Sequence, residues 1–443
     1  MGHINNPDRA YRLLQQRLDR HLTGAPESPT FTKLLQSLFS PEDAELACQI
    51  PTTLTPLEKL SAQLKIPRDV LSDRLVEFAE RGLVFDICSN GTRYVSLSPV
   101  MIGFFEFTFM RTRDDAPMAE VARLFEEYMR SDDRFPRSVF REETQIGRSL
   151  VREETLPEND HTEILDWERA SRIIETASCV AAGLCVCRHK ASHLGKACDR
   201  PQRTCLSLNY AGESLSRNGL AERVTQAEAM RILSDCKEAG LAQTADNVRR
   251  NVAYICNCCG CCCELINAIK GFDLRHAIVT SNWIAAVDTT ACQGCGRCAA
   301  ACPVGAMAVC HDPLPHRGRG QGEGADRKVA SRDDSLCIGC GVCATACKRG
   351  AIAMRSRPQR VLPPETIFDR YALMALERGK LADLLFDDPA RLSHRALGRI
   401  VGLLERTPVF QAALAVEPLR SSFLNAVVRE GRRRTGEMAD VIG

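Results

Sequence analysis

The chain has 443 residues, 44% hydrophobic and 26% charged, so it is long enough for several domains with buried cores. This composition excludes a wholly disordered or a fibrous protein. The 58 lysines and arginines nearly balance the 56 aspartates and glutamates, and a net charge of +2 argues against binding to nucleic acid through bulk charge.

The sequence predicts a cytoplasmic protein. No apolar run reaches the roughly 18–20 residues that a membrane span needs. The N-terminal segment, MGHINNPDRAYRLLQQRLDRH, has no apolar signal core. A reducing compartment would also keep the many cysteines of this chain free of disulfides.

The first 110 residues are predicted to be helical, with a distinct unit at residues 52–98. Two short helices, TPLEKLSAQL and DVLSDRLVEFAER, precede a hairpin whose two-residue turn is Asn90–Gly91. This order resembles a winged-helix domain, which implies either DNA binding or a structural, protein-docking role. The second helix has mixed charge without a basic excess, so nucleic acid is not an expected partner.

Residues 111–277 are predicted to form a helical, cysteine-rich domain. The segments MAEVARLFEEYM and VTQAEAMRILSDCKEAG have the apolar spacing of amphipathic helices. Thr225 and Glu228 form a capping box at the start of the second helix, and Gly240 ends it. Residues 357–443 contain no cysteine and are predicted to be helical.

Cysteine content is the unusual feature of this chain. It has 23 cysteines, and 20 of them lie within residues 185–347. An odd number in tight runs is a poor disulfide framework, whereas thiolates at this density are ligands for zinc or iron–sulfur clusters. The five scattered cysteines are interpreted as small hydrophobic residues, with Cys179 and Cys236 inside helices. They are Cys48, Cys88, Cys179, Cys236 and Cys310.

Eight cysteines form two runs with the same C-x2-C-x2-C-x3-C spacing. The segments ACQGCGRCAAACPVGAMAV and LCIGCGVCATACKRGAIAM align at an offset of 45 residues. In such runs three cysteines bind one [4Fe–4S] cube, and the fourth binds the cube of the other run. The predicted ligand sets are Cys292, Cys295, Cys298 with Cys347, and Cys337, Cys340, Cys343 with Cys302.

Residues 278–356 therefore resemble the bacterial two-cluster ferredoxin domain, which implies two [4Fe–4S] clusters. The flanking segments WIAAV, MAV, KVA and AIAM predict short strands and a β-α-β-β-α-β order. Lys348 stands where the first run has Pro303, and the gap between the runs is long. Neither difference removes a ligand.

Ten further cysteines lie in the middle of the chain, six of them in the segment ICNCCGCCCE. We interpret them as ligands of one or two additional iron–sulfur clusters, with zinc or structural thiols as alternatives. The simplest scheme gives one cube to each group, and an alternative pools both around one unusual cluster. Arg188, His189, Lys190 and His193 could lower thiolate pKa values or bind an anion. The two groups are Cys185, Cys187, Cys198, Cys205, and Cys256, Cys258, Cys259, Cys261, Cys262, Cys263.

The order of these motifs over residues 100–355 resembles a group of bacterial and archaeal cytoplasmic ferredoxin-like proteins. That group is defined by its cysteine pattern, so the resemblance implies an electron-carrying role and no particular substrate. No catalytic residue is predicted.

The expected fold is α+β, mostly helical and multidomain, with boundaries at 1–110, 111–277, 278–356 and 357–443. The expected function is a multi-cluster iron–sulfur protein that passes low-potential electrons to a partner protein or to the central cluster. Two alternatives remain: a reductase with catalysis at the central cluster, and a redox or iron sensor that acts through the winged helix.

Overall fold

The computed structural model describes residues 7–156, 165–311, 327–387, 392–405, 407–408, 410 and 425–429. The predicted C-terminal helical region, 357–443, extends beyond this described part. Within the described ranges, every helix is too short or too polar to cross a bilayer.

The N-terminal part contains helices followed by a small three-stranded sheet. Its elements are α1 (Pro7–Asp19), α2 (Pro29–Leu38), α3 (Pro41–Ala47), β1 (Thr55–Pro56), α4 (Leu57–Leu64), α5 (Arg68–Glu80), β2 (Val84–Ser89) and β3 (Thr92–Leu97). The strands lie in the order β1-β3-β2. Asn90 and Gly91 take the positive φ values that a tight hairpin turn requires. The predicted helices and hairpin are present, and the winged-helix assignment itself stays a prediction.

Three helices connect this unit to the centre of the molecule: α6 (Phe105–Phe109), α7 (Met118–Arg130) and α8 (Arg134–Phe140). Their aromatic side chains form a continuous buried cluster. Phe31 stacks on Tyr128 with ring centroids 4.5 Å apart, and Phe105 contacts Phe125 at 4.8 Å. The N-terminal helices and the middle of the chain therefore share one core.

A six-stranded antiparallel sheet occupies the middle of the chain. In chain order its region comprises β4 (Gly147–Ser149), α9 (Ala170–Thr176), β5 (Val180–Leu184), α10 (Val186–His193), β6 (Arg203–Leu208), α11 (Asn209–Arg217), β7 (Glu222–Arg223), α12 (Gln226–Glu238), β8 (Ala242–Asp246), β9 (Tyr254–Cys258) and α13 (Glu264–Phe272), with 3-10 turns at Glu153–Thr155 and Asp166–Glu168. The strand order is β4-β8-β9-β6-β5-β7.

This sheet differs from the helical middle domain that the sequence predicts for residues 111–277. The strands span two to six residues, and β8, AQTAD, is buried at every position. A strand covered on both faces loses the alternation of apolar and polar residues that reveals a strand. The predicted helix after Thr225 is present, and its first turn is capped by the Thr225 side chain.

Two small antiparallel ribbons follow. The elements are β10 (Trp283–Val287), α14 (Arg297–Ala301), β11 (Met307–His311), β12 (Lys328–Arg332), α15 (Val342–Ala346) and β13 (Ile352–Ser356). Strand β10 pairs with β13, and β11 pairs with β12. This is the β-α-β-β-α-β order that the internal repeat predicts. Gly339 has φ +72° and a Cβ there would collide with the Trp283 carbonyl, so only glycine fits.

The described C-terminal elements are mainly three helices: α16 (Ile367–Glu377), α17 (Leu381–Leu385) and α18 (Leu392–Glu405). Two buried ion pairs attach this region to the rest of the chain. Arg370 of α16 pairs with Asp246 at the end of β8. Arg17 of α1 pairs with Asp387 at 2.7 Å, and both side chains are at most 5% exposed.

Replacement of Asp246 by Ala is expected to lower the free energy of unfolding by about 3–5 kcal/mol, because it leaves the buried Arg370 charge unpaired. The control is Glu365→Ala, which removes an exposed pair with Arg250 and should cost under about 1 kcal/mol. Urea denaturation of both variants measures the difference. Equal losses would show that the Arg370 pair does not attach α16 to the sheet.

Candidate metal centres

The first predicted ferredoxin set lies at the surface of the molecule. The Cys298 thiol is close enough to the thiols of Cys292 and Cys347 to interact with both electrostatically. Cys298 is buried, Cys292 and Cys347 are half-buried, and Cys295 is exposed. The structure thus brings Cys347 of the second run close to the first run, as the crossed ligand sets predict. Cys295 is the member of this set that is exposed to solvent.

The second set lies deeper. Cys337, Cys340 and Cys343 are all buried, and Cys302 of the first run lies beside Cys340 and Cys343. Burial raises the pKa of the Cys340 thiol to about 12, and it also raises the pKa of Cys343. In the metal-free protein these thiols are therefore protonated at neutral pH, and binding of a metal cluster would displace their protons.

Backbone amides donate hydrogen bonds to the ferredoxin sulfurs. The Ala330 N–H donates to Cys292 Sγ at 3.2 Å, and the Ala306 N–H donates to Cys302 Sγ at 3.2 Å. Such donors stabilise negative charge on the sulfurs and help to set a cluster's potential. Cys343 also lies close to Cys298 of the other set, so the two ferredoxin sites are neighbours.

The ten central cysteines separate into two groups that cross the boundary between their two sequence segments. The first, which we call the four-thiol group, joins Cys198 to Cys259, Cys261 and Cys262. Cys198 Sγ lies 3.8 Å from Cys259 Sγ and 3.9 Å from Cys262 Sγ. Hydrogen bonds from the Cys262 thiol and N–H lower the pKa of Cys259, so its thiolate is favoured.

The other six central thiols are linked by close contacts between neighbours, and we call them the six-thiol group. Two strands and the N-termini of two helices supply them. Cys205 and Cys256 are neighbours on the paired strands β6 and β9. Cys263 lies beside Cys187 and Cys258, and Cys185 lies beside the same two residues. The members are Cys185, Cys187, Cys205, Cys256, Cys258 and Cys263.

This grouping differs from the simplest scheme, in which Cys185, Cys187, Cys198 and Cys205 share one cube. Cys198 lies in the loop after α10, next to the turn that contains Cys259 and Cys262. Cys205 lies on strand β6 of the sheet. Cys258 of the six-thiol group and Cys259 of the four-thiol group are close enough to interact electrostatically, and the pooled alternative stays a prediction.

The predicted anion-binding cluster at residues 188–193 is largely internal. Arg188 is fully buried, and its guanidinium donates to the carbonyls of Pro201 and Asn257 at 3.0 and 3.1 Å. Burial alone would lower the pKa of Arg188. The neighbouring thiols of Cys185 and Cys259 have a larger, opposite effect, so the pKa of Arg188 is raised. Arg188 lies between the two central thiol groups, and it contributes to lowering the pKa of Cys259, which is one of the two roles expected for it. Its full burial argues against the other expected role, the binding of an external anion.

Lys190 and His189 are also engaged inside the protein. Lys190, 2% exposed, lies 2.5 Å from both Glu126 and Glu264. These two ion pairs join α7, α10 and α13. Because Glu264 follows Cys263 directly, they lie beside the six-thiol group. His189 Nδ1 is 2.8 Å from the Phe109 carbonyl oxygen, so this ring nitrogen is not free to bind a metal.

The scattered cysteines behave unequally. Cys236 is buried in α12 as predicted, and its thiol lies near Arg188 and Cys258, which no sequence signal indicated. Cys179 is buried as expected, but in the turn between α9 and β5 and not in a helix. Cys88 is exposed, contrary to the core interpretation.

The central site lies against the ferredoxin segment. A Cβ on Gly260 would come within 2.7 Å of the Pro303 carbonyl oxygen, so the two backbones are in close contact. Gly260 lies between Cys259 and Cys261, and Pro303 follows Cys302. Cys259, Cys262, Cys337 and Cys340 belong to one continuous core.

Residues 291–351 match a protein-family model described as a 4Fe-4S dicluster domain. The match assigns this segment to an iron–sulfur, ferredoxin-like domain that binds 4Fe–4S clusters, and it supports a role in electron transfer. No curated protein and no solved structure matches the chain.

Replacement of Lys190 by Ala is expected to lower the free energy of unfolding by about 3 kcal/mol, because it leaves Glu264 buried with only Arg130 as an ionic partner. The matched control is Lys196→Ala: Lys196 is 67% exposed and 4.0 Å from Glu126, so the change should cost under about 1 kcal/mol. Urea denaturation compares the two variants. Similar values would mean that the Lys190 pair contributes no more than a surface pair.

Proposed function

We propose that this protein is a multi-cluster iron–sulfur electron-transfer protein. The 4Fe-4S dicluster match at residues 291–351 carries this proposal. One cube would be held by Cys292, Cys295, Cys298 and Cys347, and the other by Cys337, Cys340, Cys343 and Cys302. The six-thiol group would hold an additional iron–sulfur cluster, since it has more than the four thiolates that one cube binds. When bound, these clusters accept and release single electrons.

The order of the sites supports electron transfer along one route through the molecule. Cys295 is exposed, so the surface site offers contact with a redox partner protein. The second ferredoxin site is buried behind it, and the Gly260–Pro303 contact places the central turn directly against the segment that supplies Cys302. Electrons would pass between an exposed site, a buried middle site and the central site.

The winged-helix-like unit would serve as a structural module in this function. Arg74 of α5 and Arg81, which follows α5 directly, both pair with Asp43, at 2.7 and 2.8 Å. Arg74 also lies 3.5 Å from Glu77, so both cations have carboxylate partners within the protein. Asp86 of β2 is 1% exposed and accepts hydrogen bonds from Arg217 and Asn218 of the central region. The hairpin is therefore docked on the chain's own sheet domain, which favours a structural role over DNA binding.

The test is iron content and EPR of the anaerobically purified full chain. The two ferredoxin cubes supply about eight irons per chain, so a higher count is expected from the additional cluster. Cys258→Ser and Cys263→Ser should each lower the count towards about eight and leave the ferredoxin EPR signals unchanged. The control is Cys88→Ser, an exposed cysteine outside both groups.

Two results would contradict this assignment in different places. A wild-type count no higher than about eight irons would exclude an iron–sulfur cluster at the six-thiol group. Little iron in any preparation, after anaerobic reconstitution as well, would contradict the electron-transfer role itself.

The buried ferredoxin site offers a prediction about redox potential. Arg152 is 3% exposed, its N–H donates to the Cys340 carbonyl at 3.2 Å, and its charge interacts with the thiols of Cys340 and Cys343. A cation here stabilises the more negative, reduced state of a cluster.

Arg152→Gln is therefore expected to make the potential of the buried cube more negative by up to about 60 mV, which is about 1.4 kcal/mol for one electron. An EPR-monitored redox titration measures the shift. Arg355→Gln, at an exposed position on β13, is the control and should leave the potential unchanged. An unchanged or more positive potential in Arg152→Gln would rule out this electrostatic role.

A further inference from the structure

The four-thiol group has the dimensions of a site for a single metal ion. Cys198 Sγ lies 3.8 Å from Cys259 Sγ and 3.9 Å from Cys262 Sγ, and Cys261 Sγ lies 3.7 Å from Cys262 Sγ. All four sulfurs are within 4.8 Å of one another. Four sulfurs at tetrahedral corners, each about 2.3 Å from a zinc ion, are about 3.8 Å apart.

An iron–sulfur cube requires wider spacing. Each of its thiolates binds a different iron, so the Fe–Fe separation adds to the distance between the sulfurs. The ferredoxin cysteines provide the comparison within the same molecule. Across the described residues, the four-thiol group is the sole place where three or more metal-ligating side chains lie within 4.8 Å of one another. The sets that match a 4Fe-4S domain are therefore more widely spaced than this one.

We propose that Cys198, Cys259, Cys261 and Cys262 bind one zinc ion as a tetrathiolate site, and not an iron–sulfur cube. The proposal goes beyond the electron-transfer function and does not depend on it. Tetrahedral thiolate sites hold zinc or iron, and of the two divalent ions zinc binds such ligands more tightly.

Three of these four cysteines, Cys259, Cys261 and Cys262, lie in one turn whose backbone is held in place by hydrogen bonds. Cys259 and Cys262 have the C-x2-C spacing of zinc sites, and the Cys262 N–H donates to Cys259 Sγ at 3.4 Å. Two side chains of α13 hold the turn: Lys270 Nζ donates to the Gly260 carbonyl at 2.8 Å, and Asn267 donates to the Cys261 carbonyl at 3.3 Å. The turn is thus fixed independently of the bound ion.

The ion would be structural, since zinc has no redox chemistry. It would cross-link the loop that carries Cys198 to the turn that contacts Pro303 of the ferredoxin segment. Because Cys258 and Cys263 flank the same turn and belong to the six-thiol group, the zinc site would hold the two iron–sulfur regions together.

Metal analysis and X-ray absorption of the full chain, purified anaerobically from iron-replete cells, test the proposal. We expect about one zinc per chain, and a zinc edge spectrum with only sulfur neighbours at about 2.3 Å. Cys198→Ser and Cys261→Ser should each reduce zinc at least fivefold, with iron content and ferredoxin EPR unchanged. Cys310→Ser, a cysteine outside the central groups, is the control and should keep the zinc.

Four results would overturn the proposal, three of them from metal content and the zinc spectrum. These three are a wild-type chain without zinc, a zinc spectrum with nitrogen or oxygen neighbours, and loss of about four irons in Cys198→Ser with zinc unchanged. A single thiolate-bound iron in place of zinc would also overturn it. The wild-type spectrum decides the question if a variant fails to fold. Since iron is measured separately, a failure here leaves the electron-transfer proposal standing.

Discussion

The turn between β9 and α13 is the constraint on which the centre of this molecule depends. Its two ends, Cys258 and Cys263, belong to the six-thiol group, its interior cysteines belong to the four-thiol group, and Gly260 touches Pro303. A side chain at Gly260 would push the ferredoxin segment away. The turn therefore links both central thiol groups to the ferredoxin segment.

Buried positive charge is the second requirement of such a dense group of thiols. Thiolates removed from water repel one another, and an opposite charge nearby compensates for the repulsion. Arg188 supplies that charge between the two central groups, and its own charge is stabilised by the Cys185 and Cys259 thiols. The N-termini of α10 and α13 add positive dipole ends at Cys185 and Cys263.

The surrounding domains restrict the movement of this centre. Lys190 joins α7, α10 and α13 through two carboxylates, and Asp86 attaches the N-terminal hairpin to the residues after α11. Arg370 attaches the C-terminal helices to the sheet. Buried pairs of this kind are costly to break, so the position of the thiols depends on elements distant in sequence.

The sequence by itself determined that this segment is an iron–sulfur, ferredoxin-like domain, because runs of cysteines at every third residue place thiols around a cluster through local geometry alone. It also indicated that the central cysteines bind metal. Only the tertiary structure decided how they divide: Cys198 and Cys259 are 61 residues apart and meet because β6 and β9 pair beside α10. The sequence did not predict the sheet to which these strands belong. Strands buried on both faces, such as β8, lack the alternation of apolar and polar residues that reveals a strand. Which cysteines meet across paired strands depends on the register of those strands. The spacing of the cysteines along the chain does not encode that register.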